Sequence, residues 1–197
     1  MIEMLKNNPN IEEIGQDIWV YHNFLSTDEI NRIITKINSV DEDRWNCDHP
    51  EKHCRLQLME EVGKFTERVK DLFPRELFVD QLGGVNRLTV NQGHGIHSDN
   101  HDFLTIRELS RALKDDDPFE WVDDTVYGMV IYINDDYDGG EIFYTKQNIT
   151  YKPISGDLIV HSAEDHCEHG VNPVKTNVRY SISSSIRKKI KIRANDA

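Results

Sequence analysis

Apolar and polar positions follow two different periods in this chain, and the change of period divides it. In the first third, Ile30, Ile33, Ile34 and Ile37 recur at helical spacing and form one stripe to bury. Ser26 stands as N-cap ahead of them, and Glu29 three residues on completes a capping box. Before this helix, Asp17–Tyr21 reads as a short strand. A second helix is expected from Arg55 to Phe73, with Leu58, Val62, Phe65 and Val69 on one face and Pro74 as its limit. From about residue 84 the runs shorten to strand length. They are Val85–Val90, Val126–Asn134, Glu141–Tyr144, Ile149–Pro153, Asp157–His161 and Val178–Ile186, separated by Gly, Asn and Asp clusters. Several short strands with turn signals between them predict a sandwich or barrel carrying helices, an α+β arrangement. No linker separates the halves. One domain over 1–197 is expected, with a helical part to about 84, a β core over about 85–187 and a basic tail at 188–197.

A charged stretch between Asp99 and Val126 interrupts the strands. Thr105 and Glu108 form another capping box, Ile106, Leu109 and Leu113 share a helical face, and Asp115–Pro118 ends it. Such insertions serve as lids or binding loops, or simply as solvated excursions. Phe119 and Trp121 would anchor this stretch to the core, or else touch substrate.

Composition narrows the classes. Of 197 residues, 35 are acidic and 23 are Lys or Arg, for a net charge of −12. That weighs against a general binder of nucleic acid or anionic membranes, since phosphates reward clustered basic residues. No apolar run approaches the ~20 residues of a membrane span. The opening residues 1–10 lack the basic start and apolar stretch of a signal peptide. Cys47, Cys54 and Cys167 are odd in number and follow no framework spacing, which fits a reducing interior and a cytoplasmic location. The octet Cys47–Cys54 holds four possible zinc ligands, but it lacks the paired spacing of structural zinc sites and reads as a polar loop between helices.

The chemistry is carried by His97 and Asp99, joined by the segment His166–Val174 about seventy residues later. Residues i and i+2 of a strand share a face, so an imidazole and a carboxylate can meet one metal. With a distant His they make the two-His-one-carboxylate triad, which holds one face of an octahedral Fe(II) and leaves three positions open. Around it the chain runs in a fixed order. Tyr132–Phe143 is a strand, a Gly-Gly turn and a strand; Lys152–Leu158 is a tight turn; then come His169, Pro173, Val174 and Arg179, ten residues after His169.

This ordered set resembles the Fe(II)- and 2-oxoglutarate-dependent dioxygenases, in their prolyl 4-hydroxylase-like branch. Those proteins show H-x-D, a Y-L-N strand, G-G-E-T-x-F, P-x-x-G-D, and H-x-x-x-P-V with a basic residue ten positions past the distal His. The likeness covers roughly 85–187 and extends to Phe24–Ser26 and Glu29, which match an opening F-L-S-x-x-E helix. The resemblance implies His97, Asp99 and His169 as iron ligands, with His161 and His166 as alternatives for the distal one. It implies Arg179, or else Arg187, as the grip on the far carboxylate of 2-oxoglutarate, with Tyr132 hydrogen-bonding the same group. A guanidinium suits that task because its fork pairs bidentately with a carboxylate and stays charged when buried. Two departures bear on the substrate. Where relatives carry a tyrosine before H-x-D, Asn91 or His94 stands, and G-G-E-T is here G-G-E-I with Ile142.

The fold so implied is a double-stranded β-helix (jelly-roll, cupin-like) core with N-terminal helices packed on the major sheet. The implied activity is hydroxylation of an unactivated C–H bond, most simply of a prolyl residue in a peptide or protein, with release of succinate and CO2. Fe(II), 2-oxoglutarate and O2 are required, with ascorbate in support. Asp99 argues against halogenation, since related halogenases carry a small residue there. The other readings are the same chemistry on a free amino acid, another small molecule or a nucleobase, and a jelly-roll module that binds or assembles without catalysis. A nucleobase dealkylase would show R-x(5)-R after the distal His, whereas Arg179 and Arg187 lie further apart. The region 98–138 holds twelve acids and three bases, so a neutral or basic substrate is expected.

Overall fold

A computed structural model describes residues 8–47, 54–80, 82–100 and 119–193, with side chains from 125 to 188 in the last segment. Among the described residues twelve strands form two antiparallel sheets. They are β1 (Ile11–Gly15), β2 (Ile18–Tyr21), β3 (Cys54–Gln57), β4 (Leu77–Val79), β5 (Gly84–Leu88), β6 (His94–His97), β7 (Phe119–Tyr132), β8 (Ile142–Tyr144), β9 (Ile149–Tyr151), β10 (Leu158–Ser162), β11 (His169–Val171) and β12 (Arg179–Arg193). The major sheet runs β1-β2-β10-β7-β12-β5-β3, with β4 also on β12, and the minor sheet runs β6-β11-β8-β9. Helices are α1 (Thr27–Asn38), α2 (Met59–Val62) and α3 (Phe65–Lys70). This is the jelly-roll architecture expected, with helices on the major sheet. Among the described residues no helix is long and apolar enough to cross a membrane.

Two cores follow from the two-residue period of the strands. On β2, β7 and β10, Trp19, Met129, Ile131, Leu158 and Val160 face outward to Ile33 and Ile37 of α1 and to Val62, Phe65 and Val69. The alternate residues Ile18, Val20, Tyr132 and Ile159 face inward to Ile142 and Tyr144 of the minor sheet. With both faces covered, β10 is buried at every position. The α1 start is as expected: the Ser26 hydroxyl accepts from the Glu29 N–H, and the Glu29 carboxylate accepts from the Ser26 N–H at 2.9 Å. Arg68 of α3 reaches the same carboxylate at 3.3 Å and ties the two helices together.

Several expectations need correction. The helix read over Arg55–Phe73 is a strand, β3, followed by two short helices. Cys54 and Leu56 are buried, while Arg55 and Gln57 are exposed, and β3 pairs with β5 from Cys54↔Arg87 to Gln57↔Gly84. Four alternating residues beside a good edge outweigh the helical spacing that starts at Leu58. Strands β1, β3, β4 and β11 fall outside the predicted runs, and β6, implied by the His97–Asp99 spacing, ends at His97. The basic stretch read as a tail from 188 instead continues β12 to Arg193, paired with β7 from Arg187↔Thr125 to Arg193↔Phe119. The helix expected at 105–113 lies outside the described residues. So do 48–53 of the cysteine octet, whose outer members Cys47 and Cys54 are joined by a disulfide. That bond takes both sulfurs from any zinc. It also weighs against the reducing interior expected from three cysteines without framework spacing; Cys167 alone is free, and it is buried.

Candidate active site

The site is assembled by register. His169 of β11 stands opposite His97 of β6 on one side and Tyr144 of β8 on the other. Asp99 follows two residues after His97, just past the end of β6, and is half-buried. One ligand atom each from His97, Asp99 and His169 lie within 4.8 Å of one another. The two imidazoles are held in the same tautomer by backbone carbonyls. His97 Nδ1 donates to Gly95 O at 2.8 Å, and His169 Nδ1 donates to Cys167 O at 3.0 Å. Each ring therefore turns its Nε2 lone pair free, the usual arrangement for a metal-binding histidine.

The charge states suit the same purpose. Burial raises the Asp99 carboxyl, but the hydrogen bond from His161 and the neighbouring imidazoles outweigh it and hold the group at about 2. Burial, with His161 and His97 nearby, pushes His169 down to about 3, so at neutral pH it is an uncharged nitrogen donor. One ionised carboxylate and two imidazole nitrogens on one side of an open space form the donor set of a non-haem Fe(II) centre.

These side chains line a cavity of about 400 Å3 whose walls also include Tyr132, His161 and Arg179. Arg179 is buried, 4% exposed, on β12. Its Nη1 donates to the Ser181 hydroxyl at 3.2 Å, its Nε has no partner, and among the described residues no carboxylate pairs with it. The Tyr132 and Tyr137 hydroxyls are buried and equally unpartnered. Burial raises both phenols, so both stay protonated as donors. A buried guanidinium with phenol donors beside it offers hydrogen bonds and charge that a carboxylate can accept. The floor here is the Gly139-Gly140 turn, where φ is +72° and +65°; a Cβ on Gly140 would press on Tyr137 and Arg179. Lys152 secures that turn by donating to Tyr137 O at 2.6 Å and Gly139 O at 2.8 Å.

The remaining candidates fall as follows. Arg187 is engaged elsewhere, 3.0 Å from Asp80. His166 sits in the 3-10 turn Asp165–Cys167, with Nε2 3.1 Å from Asp17, and does not join the triad. Asn91 is exposed at φ +70°, with its N–H bonded to Val174 O, and does not line the cavity; His94 does. Asn91 holds a left-handed turn there, a conformation that Asn tolerates better than most residues. Trp121 lies on β7, and its side chain is outside the described residues. His161, the other alternative for the distal ligand, ends the predicted strand Asp157–His161. It is 1% exposed and points between the sheets, with Nε2 3.0 Å from Asp99 Oδ2. Tyr137, Tyr144 and Gly128 were not singled out. Tyr137 lies within the Tyr132–Phe143 segment, whereas Tyr144 and Gly128 carry no local signal.

A family model described as the 2OG-Fe(II) oxygenase superfamily matches residues 83–187, more than half of the chain. A mouse protein, prolyl 3-hydroxylase 2, is 30% identical over 95 residues; the match covers 46% of this chain and 13% of that protein. Among solved structures, the viral collagen prolyl hydroxylase of Paramecium Bursaria Chlorella virus-1 has a TM-score of 0.65 at 17% identity, over 88% of this chain and 97% of that one. A Pseudomonas putida prolyl-4-hydroxylase has a TM-score of 0.61 at 15% identity, over 87% and 92%. A Trichoplax adhaerens prolyl hydroxylase, bound to a hypoxia inducible factor peptide, has 0.56 at 14%, over 95% and 88%. At these identities the structural likeness is one of fold.

Proposed function

The chain belongs to the 2OG-Fe(II) oxygenase superfamily, and from that premise we propose that it is a dioxygenase acting on a prolyl residue of a peptide or protein. His97, Asp99 and His169 hold the iron. Arg179 takes the far carboxylate of 2-oxoglutarate, and Tyr132 donates a hydrogen bond to it. Bound iron, 2-oxoglutarate and O2 supply the oxidising chemistry, with succinate and CO2 released, a C–H bond hydroxylated and ascorbate supporting turnover. The protein binds and orients these groups and keeps the inner end of the cavity dry, with Tyr132, Leu88 and Ile142 as its apolar wall. The observation that carries the reading is one cavity with a three-donor cluster at one part and a buried, carboxylate-free Arg179 at another. The prolyl substrate rests on the names of the relatives, a prolyl 3-hydroxylase and prolyl hydroxylases of like fold.

Anaerobic reconstitution with Fe(II) and 2-oxoglutarate, followed by oxygen, tests the proposal. A visible charge-transfer band and succinate release are expected from the wild type and from His166→Ala. Neither is expected from His97→Ala or Asp99→Ala. Arg179→Ala should mainly raise the KM for 2-oxoglutarate. A wild type with neither band nor succinate rejects the oxygenase reading, while succinate release without hydroxylation of any peptide in a proline-containing panel rejects the substrate.

A further inference from the structure

His161 is the group that the assignment above leaves unused, although it lies at the centre of the site. It is 1% exposed on β10, and its ring centroid is 4.2 Å from that of His169. Its Nε2 is 3.0 Å from Asp99 Oδ2, and its Nδ1 is 3.0 Å from the Tyr144 hydroxyl, itself on a residue 1% exposed. A carboxylate oxygen only accepts, so Nε2 carries a proton and donates. In the neutral ring Nδ1 then accepts, and the phenol is its donor. The order is Tyr144 O–H to His161 Nδ1, then His161 Nε2–H to Asp99 Oδ2.

The backbone makes room for this relay. In the β10–β7 register His161 stands opposite Gly128, and a Cβ there would run into Asp99 Oδ2 and His161 Nε2. The other carboxylate oxygen, Oδ1, faces His97 Nε2 at 3.5 Å. One oxygen of Asp99 is thus engaged by protein while the second is turned toward the triad.

We infer that His161 is a positioning residue for the metal site, holding Asp99 by Oδ2 so that the carboxylate offers Oδ1 alone to the metal. The inference rests on the metal assignment proposed above. Its consequence is that Asp99 occupies one coordination position and leaves the others for the co-substrate and oxygen. Hydrogen-bonding partners of this kind, one bond removed from the metal, typically contribute ~10–100-fold in affinity.

Co(II) titration of the metal-free, full-length chain, followed by its visible absorption, tests this without turnover. Wild type binds and His97→Ala does not; if wild type fails to bind, or His97→Ala binds equally, the metal assignment itself falls. With those controls met, His161→Phe is expected to lose about 10-fold or more in affinity, and His161→Gln, whose amide N–H can reach the same carboxylate, to recover most of it. A purely structural role for the ring would not be rescued by Gln. Tyr144→Phe keeps its buried ring and tests the relay from the far end, with a severalfold loss expected. Wild-type affinity in both His161→Phe and Tyr144→Phe overturns the inference. Equal loss in the Phe and Gln variants also overturns it, because His161 then acts as a packed ring or as a ligand in its own right and not through the carboxylate hydrogen bond. Thermal unfolding of each metal-free variant separates a lost site from a lost fold.

Discussion

A buried polar group with no partner costs more than the same group replaced by hydrocarbon, and Tyr132 is such a case. Its hydroxyl is buried in the cavity wall with no well-aligned hydrogen-bond partner among the described residues, beside the Arg179 guanidinium carbon, which lies 4.9 Å from its ring centroid. Removing the oxygen therefore relieves a penalty on the order of 1–3 kcal/mol before any ligand binds. Tyr132→Phe is expected to be as stable as the wild type or more so without ligand, and to bind 2-oxoglutarate more weakly. Thermal unfolding measured with and without the co-substrate reads both effects. A ligand-free Tyr132→Phe that melts well below wild type means that the hydroxyl is bonded inside the protein, and its role toward the co-substrate then lapses. The same reasoning separates Arg179 from Arg187. The two are alike in sequence and both lie on β12, but one is buried with no carboxylate and the other already has Asp80.

At the scale of elements, what can be read in advance is what neighbours in sequence decide. The α1 helix was legible because its cap, its stripe and its acidic first turn are all local. It also gives a prediction. Burial raises the Glu29 carboxyl, yet the Ser26 N–H, Arg68 and the Ser26 hydroxyl outweigh it and leave the group below its ordinary 4.5. A carboxyl lowered on folding contributes stability above its unfolded value and loses it as pH falls through the folded one. Glu29→Ala should cost about 0.5–2 kcal/mol at neutral pH, and its deficit against wild type should shrink below pH 4.5 in urea unfolding. The triad residues were legible through spacing and order, because a ligand set is a property of residue types. Strand β11 was not, since three residues show no period until a partner supplies it. The place of His161 is hidden for a related reason: Leu158–Ser162 is buried on both faces, so nothing in its pattern says which residues face the site. Gly128 belongs here too, because its lack of a Cβ matters only once β10 and Asp99 are beside it. Gly128→Ala should abolish Co(II) binding while leaving the far-ultraviolet circular dichroism of a β-rich protein in place; unchanged binding would mean that Asp99 does not pack there.

At the scale of the molecule, the structure redistributes the charge. Read along the chain, 98–138 carries −9 of the total −12 and would surround the cavity with a strong negative field. In the fold, however, Glu120, Asp123 and Asp124 lie on β7 directly across from β12, with Lys188 opposite Asp124 and Lys189 opposite Asp123. Neighbouring strands are about 4.8 Å apart, and the register sets bases of β12 opposite acids of β7. The five bases of 187–193 bring the −9 of that region to −4. The outer wall of the cavity is mixed as well, with Arg55 and Asp80 among its lining. Steering of a basic substrate should therefore be real but modest. For the proposed peptide substrate, a version with basic residues flanking the target should exceed its acidic counterpart in kcat/KM by a few-fold at low salt. That advantage should fade as ionic strength rises to about 0.5 M, where the screening length is only a few ångströms. An acidic peptide that wins at low salt, or a preference indifferent to salt, means that contacts inside the cavity and not the field around it choose the substrate. Charge reversal of the basic strand distinguishes the two. Lys188→Glu with Lys189→Glu removes the offset at Asp123 and Asp124 and should widen the basic peptide's advantage if the field is the cause.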